Sequence, residues 1–303
     1  MDSRSLVSEQ VRSAGARARD WLVAAQKLEG PDSTLNPRHA FQILVGLWIC
    51  EQGLIEDQTF ACTSAYTHKV CQCIPDDTEE AMEFLYSDPA LVLFSLGILR
   101  FFDVHSSQIE LFATKISELL QEHADQDEEE ANELFLVRFL LRRLHLHAPL
   151  PAYTLHEMPA GKLIDADDAS VSMLVKNIMA ATHYGQVTRG METNFVQTLN
   201  SLLPVIMFDY FRTYNLEAGM QILRCMRYLH MYENRSRGAG LHFLLAQQQT
   251  DGHFGFLAYE LNQLKTTEHL TSPDLHVYLP LTVSFLWTIA ETAHPQFVLT
   301  QSF

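Results

Sequence analysis

Apolar residues recur at helical spacing along most of this chain, and no run of strict alternation bounded by hairpin turns interrupts them. That pattern predicts an all-α fold. It places helices over 9–28, 37–52, 57–72, 88–103, 106–124, 128–146, 168–185, 192–212, 215–231, 236–249 and 274–292. Pro37, Pro89 and Pro273 stand at or beside three of the starts, where a residue without an N–H forfeits no helical bond. Asp88, Asp167 or Asp168, and Asp274 stand where a carboxylate can cap free amides. The starts near 37, 88, 128, 168, 217 and 274 recur at intervals of about 47 residues, the range of helical-pair repeats. Two stretches break the pattern, 147–166 with Pro149, Pro151 and Pro159, and 252–273; both read as rim loops. The acidic run 125–130 reads as a solvated helix opening.

Across 303 residues, 47% hydrophobic composition supplies a substantial core. A formal net charge of -16 with scattered basic residues argues against nucleic acid and against an acidic membrane surface. No apolar run approaches the roughly 20 residues of a membrane span. Met1-Asp2-Ser3-Arg4-Ser5 leads into a charged helical pattern, so a cytoplasmic location is expected. Five dispersed cysteines form no disulfide framework, and Cys71 and Cys73 lack the second pair that a zinc tetrahedron needs. No phosphate loop, dinucleotide fingerprint, nucleophile elbow or H-E-x-x-H pattern occurs.

Near the end of the chain, Gln247-Gln248-Gln249-Thr250 leads into Asp251-Gly252-His253-Phe254-Gly255-Phe256. Asp-Gly predicts a turn with Gly252 at positive φ, from which Phe254 and Phe256 can pack back under the helix they leave. The Gln-rich helix end and this turn resemble the repeat of the α/α-toroid proteins, which include terpene cyclases of the squalene–hopene type and protein prenyltransferase β subunits. Trp21-Leu22-Val23-Ala24-Ala25-Gln26 resembles a degenerate copy of the same outer-helix end, and Asp274 through Trp287 resembles an inner helix. The resemblance implies one α/α-toroid domain over 1–303, within or near that superfamily in a bacterial branch. It places 37–52, 88–103, 168–185 and 274–292 inside, around an apolar central cavity for a natural-product or isoprenoid-like molecule. The D-x-D-D acid motif of class II cyclases and the D-x-C pair of prenyltransferase zinc sites are both absent, although Asp274 and His276 stand where the latter family places ligands near an inner-helix start.

Asp274, His276 and His183 are the leading candidates for catalysis and metal binding. Two histidines and one carboxylate suit zinc or iron(II) with positions left open for substrate. Each has a plainer alternative. Asp274 can simply cap its helix, and His183, in Ala180-Ala181-Thr182-His183-Tyr184-Gly185, can be a buried imidazole satisfied by a structural partner. Asp251 and His253 read first as turn residues, His39 as exposed or as pointing to the axis, and Asp165, Asp167 and Asp168 as an acidic helix start or a magnesium site. Tyr184, Phe208, Tyr210, Phe211, Tyr278, Phe285 and Trp287 suit either core packing or a pocket for an apolar ligand. Three functions remain open: a small-molecule enzyme, a non-catalytic helical-repeat scaffold for a peptide or carrier protein, and a glycan-active barrel using Asp168 and Asp251.

Overall fold

Helices that start with a proline and a capping side chain are fixed at their openings, and those at Pro37 and Pro89 begin within one residue of the expected starts. The computed structural model describes residues 3–26, 36–74, 83, 86–122, 134–146, 167–187, 193–232, 234–255 and 272–303. Among these the chain is all-helical, with no strand. The α-helices are α1 (Ser3–Ala25), α2 (Pro37–Trp48), α3 (Ala61–Gln72), α4 (Pro89–Phe101), α5 (Ser107–Glu122), α6 (Phe135–Arg143), α7 (Asp168–Ala181), α8 (Thr193–Arg212), α9 (Leu216–Tyr228), α10 (Arg235–Leu245) and α11 (Ser272–Ala293). A π-helical segment, Ile49–Ile55, continues α2, and a 3-10 turn, Leu299–Gln301, follows α11. The stretch 147–166, the run 125–130, Asp165 and Phe256 lie outside the described residues.

Most helices stop two to four residues earlier than their apolar periodicity suggests, whereas those ending at Gln72 and Arg212 stop as expected and the last runs one residue further, to Ala293. Five helices, the one ending at Arg212 among them, stop in the same way. Asp103, His145, His183, Tyr214 and His230 each take a left-handed φ between 46° and 60° one residue past the helical cap. Each turn carries the paired bonds of a Schellman motif, for example Val104 N–H to Leu99 C=O at 2.9 Å with Asp103 N–H to Arg100 C=O at 3.1 Å. Glycine is the usual residue there because a Cβ is disfavoured at positive φ. Here side chains occupy the position, so the stop signal is invisible to a search for glycine.

Two units divide the chain: Met1–Ile116 with Phe243–Phe303, and Ser117–His242. In the first, α2 with its π-helical extension runs parallel to α11. Their contacts step in sevens, from His39 against His276, through Gly46 beside Val283, to Gly53 beside Ala290. Glycine at 53 lets the two backbones approach, whereas glycine at 46 leaves room for Leu22 of α1. A Cβ at Gly53 would lie 2.9 Å from Phe297 Cζ and 3.0 Å from Ala290 Cβ. Helix α4 also runs parallel to α2, tied at its start by Arg38 and Asp88 at 3.7 Å and at its end by Trp48 against Phe101 and Phe102. Helix α1 packs antiparallel to α2, with Gly15 near Leu54 and Leu22 near Gly46. Trp48, Phe41, Leu44 and Phe285 are wholly enclosed, each contributing about 2 kcal/mol of burial.

In the second unit, α8 and α9 form an antiparallel pair in which the Phe211 ring lies where a side chain at Gly219 would go. Phe135, Phe139, Ala180, Tyr184 and Tyr228 build its aromatic core from α6, the end of α7 and α9.

Candidate functional site

Three helices of the first unit open beside one another, and the openings of α2 and α4 are each capped by a side chain. The Asn36 side chain accepts from Arg38 N–H at 2.9 Å, with Pro37 in the first turn of α2. Asp88 Oδ1 accepts from Leu91 N–H at 3.3 Å at the start of α4. Burial raises the Asp88 carboxyl above its ordinary range, opposed by the Leu91 amide and by Arg38. Helix α11 opens at Ser272, two residues earlier than the sequence suggests, so Asp274 falls in its first turn; the Asp274 side chain lies outside the described residues.

His39, only 2% exposed on α2, meets the exposed His276 of α11 with Nε2 and Nδ1 3.1 Å apart. The rings meet nearly edge to face, at 66° with centroids 5.3 Å apart. This bond needs one N–H and one lone pair, so the pair holds one shared proton while it lasts. Two imidazole nitrogens bound to one tetrahedral zinc at about 2.05 Å stand roughly 3.3 Å apart, close to the spacing observed. In the hydrogen bond the accepting nitrogen's lone pair is aimed at the other ring, so both rings would have to turn to share an ion. Among the described residues no group of three His, Cys, Asp or Glu side chains is placed to hold an ion, so a third protein ligand would have to come from outside that set.

His183 belongs to the second unit and stands past the end of α7 on the left-handed turn, not on the helix. Its ring packs on Phe135 and Phe139, with centroids 5.8 Å and 6.1 Å away. Burial, and then the charge of Arg142, pushes its pKa below the usual histidine range. His145 and His230 occupy the same place at the ends of α6 and α9, which makes this a recurring helix-end position.

The Asp251-Gly252 turn is a packing device. Gly252 has φ of +111°, and a Cβ there would run into the Arg17 carbonyl of α1. Gln248 Nε2 donates to Ala14 C=O and to Gly252 C=O, both at 2.8 Å, and Arg17 donates to Gln248 Oε1. His253, 1% exposed, bonds Asp251 Oδ1 through Nδ1 at 2.7 Å and lies between Trp21 and Tyr278. Phe254 exchanges bonds with Thr282 Oγ1 and stacks on Phe285 at 4.9 Å.

Asp167 caps α7, its Oδ1 accepting from Ser170 N–H at 2.9 Å, and these bonds hold its carboxyl below the ordinary range. Asp168 accepts from Tyr210 Oη at 2.9 Å; burial and this bond push Tyr210 up to about 12. Most of the aromatic candidates pack in cores: Tyr184 on Tyr228, Phe285 on Phe254, Trp287 on Phe94. Phe208 is 41% exposed. Cys71 and Cys73 are free thiols, and Cys73 Sγ donates to Lys69 C=O at 3.0 Å.

Glu51 escaped the sequence reading. Wholly buried in the π-helical segment, it accepts from Cys62 N–H at 2.9 Å, Thr63 N–H at 3.0 Å and Thr63 Oγ1 at 2.6 Å. It caps α3, whose own N-cap residue, Phe60, offers no side-chain bond. Glu291, equally buried, does the same for Leu299 N–H at 3.0 Å. Burial, with Glu51 beside them, raises the Cys50 and Cys62 thiols above their ordinary range. An acid inside Leu47-Trp48-Ile49-Cys50-Glu51 was the available signal.

Compared with known proteins, the chain matches no family model, no curated protein and no solved structure.

Proposed function

We propose that this chain is an enzyme of the α/α-toroid kind that holds an apolar small molecule, natural-product or isoprenoid-like, and acts on it where α2, α4 and α11 open. One observation carries this reading: His39 and His276 come together at that opening from positions 237 residues apart, and one of the two rings stays exposed. A buried histidine whose partner leads to solvent can hold or pass a proton to a bound molecule. The parallel, stepped contacts of α2 with α11, with α1 antiparallel outside them, support inner and outer helices in this unit. Asp274 and His276 keep the roles read from the sequence, and His39 takes the place given there to His183. Zinc or iron(II) is the cofactor that two imidazoles at this spacing suit, and it would polarise a bound substrate oxygen.

Helix dipoles do not decide against a cation. Their ends contribute about 0.3–1 kcal/mol near the first turn, whereas metal binding to an imidazole set is worth several times that. Elemental analysis of protein purified without chelator, with native mass spectrometry for a retained ligand, tests the proposal. About one zinc or iron per chain is expected, falling at least tenfold in His39→Ala and His276→Ala with unchanged helical circular dichroism. Equal metal in all three proteins would defeat the metal, and absence of both metal and small molecule would defeat the enzyme. The second reading, a scaffold for a peptide or carrier protein, then gains from the exposed Val205 and Phe208 on α8.

A further inference from the structure

Phe94, Gly97 and Phe101 of α4 follow at spacings of three and four residues, so they share one stripe of that helix. The chain that leaves α11 folds back over part of it. Phe297, 7% exposed, fills the space beside Gly53 of the π-helical segment, and Leu299 N–H donates to Glu291 at 3.0 Å. Ser302 Oγ accepts from Trp48 Nε1 at 2.8 Å and donates to Leu299 C=O at 2.9 Å, while Ser302 C=O accepts from Gln52 Nε2 at 3.1 Å. The Phe303 ring then lies where a Cβ at Gly97 would go, with Phe94 edge-on at 6.0 Å. Residues 297–303 thus form a strap whose two phenylalanines fit two glycine notches. Under it Phe94 is 4% exposed, whereas Phe101, one turn beyond Gly97 on the same stripe, is left 50% exposed. Trp48 stands between the two, bonded to the strap through its N–H and packed against Phe101 at 4.9 Å.

We propose that this stripe is a docking groove for an extended peptide segment of a partner protein, one in which a hydroxyl residue is followed by an aromatic residue, and that the strap fills it in cis as an autoinhibitory contact. The strap itself spells out the partner's chemistry. It supplies an aromatic ring for the Gly97 notch and a hydroxyl oxygen for the Trp48 indole N–H, a group that only donates. Two features make it a replaceable occupant. Ser302 and Phe303 are partly exposed while Phe297 is enclosed, so the far part of the strap can lift while the near part stays. A partner that reaches on to Phe101 also covers apolar surface that the strap leaves open. A tethered strap competes at an effective concentration in roughly the millimolar range, and that added contact is what lets a partner win. The groove lies toward the closing ends of α2 and α4, so it is independent of the reading of the histidine opening.

The test titrates the full chain with a synthetic peptide of the sequence 294–303, and with the same peptide lengthened by Gly-Phe, following the Trp48 indole N–H resonance by NMR. A chain carrying both Ser302→Ala and Phe303→Ala should bind the shorter peptide about tenfold more tightly than the wild type does, because the wild-type strap competes. Adding Gly97→Ala fills the notch and should abolish that binding with unchanged helical circular dichroism. In the wild type the lengthened peptide should bind about tenfold more tightly than the shorter one, and Phe101→Ala should remove the gain. No binding to the doubly substituted chain, equal affinity for it and the wild type, or binding that survives Gly97→Ala would overturn the proposal. The wild-type comparison holds whether or not the variants fold, and lengthening that brings no gain, or a gain unchanged in Phe101→Ala, would overturn it equally.

Discussion

The turn at Gln248–Phe254 and the opening of α11 each present a histidine to the first unit, and they treat it in opposite ways. His253 has its bonding partner two residues away, is enclosed by Trp21 and Tyr278, and sits in a turn fastened to α1 by Gln248 and by the close approach of Gly252. His276 has its partner 237 residues away and remains open to solvent. Redundant local bonds mark a place built to stay put. A pair assembled only by tertiary packing, and left uncovered, marks a place where something else can bind.

That contrast is sharpest at Gly252. Gly252→Val combines a β-branched residue at positive φ with a collision against the Arg17 carbonyl, and should cost about 3 kcal/mol or more in urea unfolding. A loss below about 1 kcal/mol would show that the turn yields and is not the rigid member of the comparison. Asp251→Asn keeps an acceptor for His253 but removes the charge, and should cost about 1 kcal/mol. No change in the melt would mean that the carboxylate adds nothing to the neutral hydrogen bond. The smallest effect belongs to His276→Ala, where an exposed ring is lost and stability should move by about 0.5 kcal/mol. A loss as large as that of Asp251→Asn would make the histidine pair a structural clasp and erase the difference between the two regions.

Much of the fold was legible because helix openings are written in side-chain chemistry. Asn36 with Pro37, Asp88 with Pro89, and Asp167 all cap where their residue types suggest. Closings were less legible. Expected ends at 103, 146, 185 and 231 overran the observed Phe101, Arg143, Ala181 and Tyr228 because residues with a Cβ hold the left-handed stop positions. The same blind spot put His183 on a helix. Glu51 was missed because an acid in an apolar helix, though it signals a buried charge, does not point to the helix start at Ala61 that lacks its own cap. The joining of His39 to His276 depends on the packing of α2 on α11, which periodicity within either helix does not specify.

The seven-residue stepping of α2 against α11 makes this pair intolerant of insertions and deletions. One added residue between His39 and Gly53 would rotate everything downstream by about 100°. It would carry Gly53 off Ala290 and Phe297, and swing Glu51 away from the amides of α3. A substitution along the seam disturbs one contact, whereas a change of length shifts every contact that follows it. The seam therefore works as a gauge that fixes how far His39 can slide past His276, and drift in chain length is confined to segments that the seam does not measure.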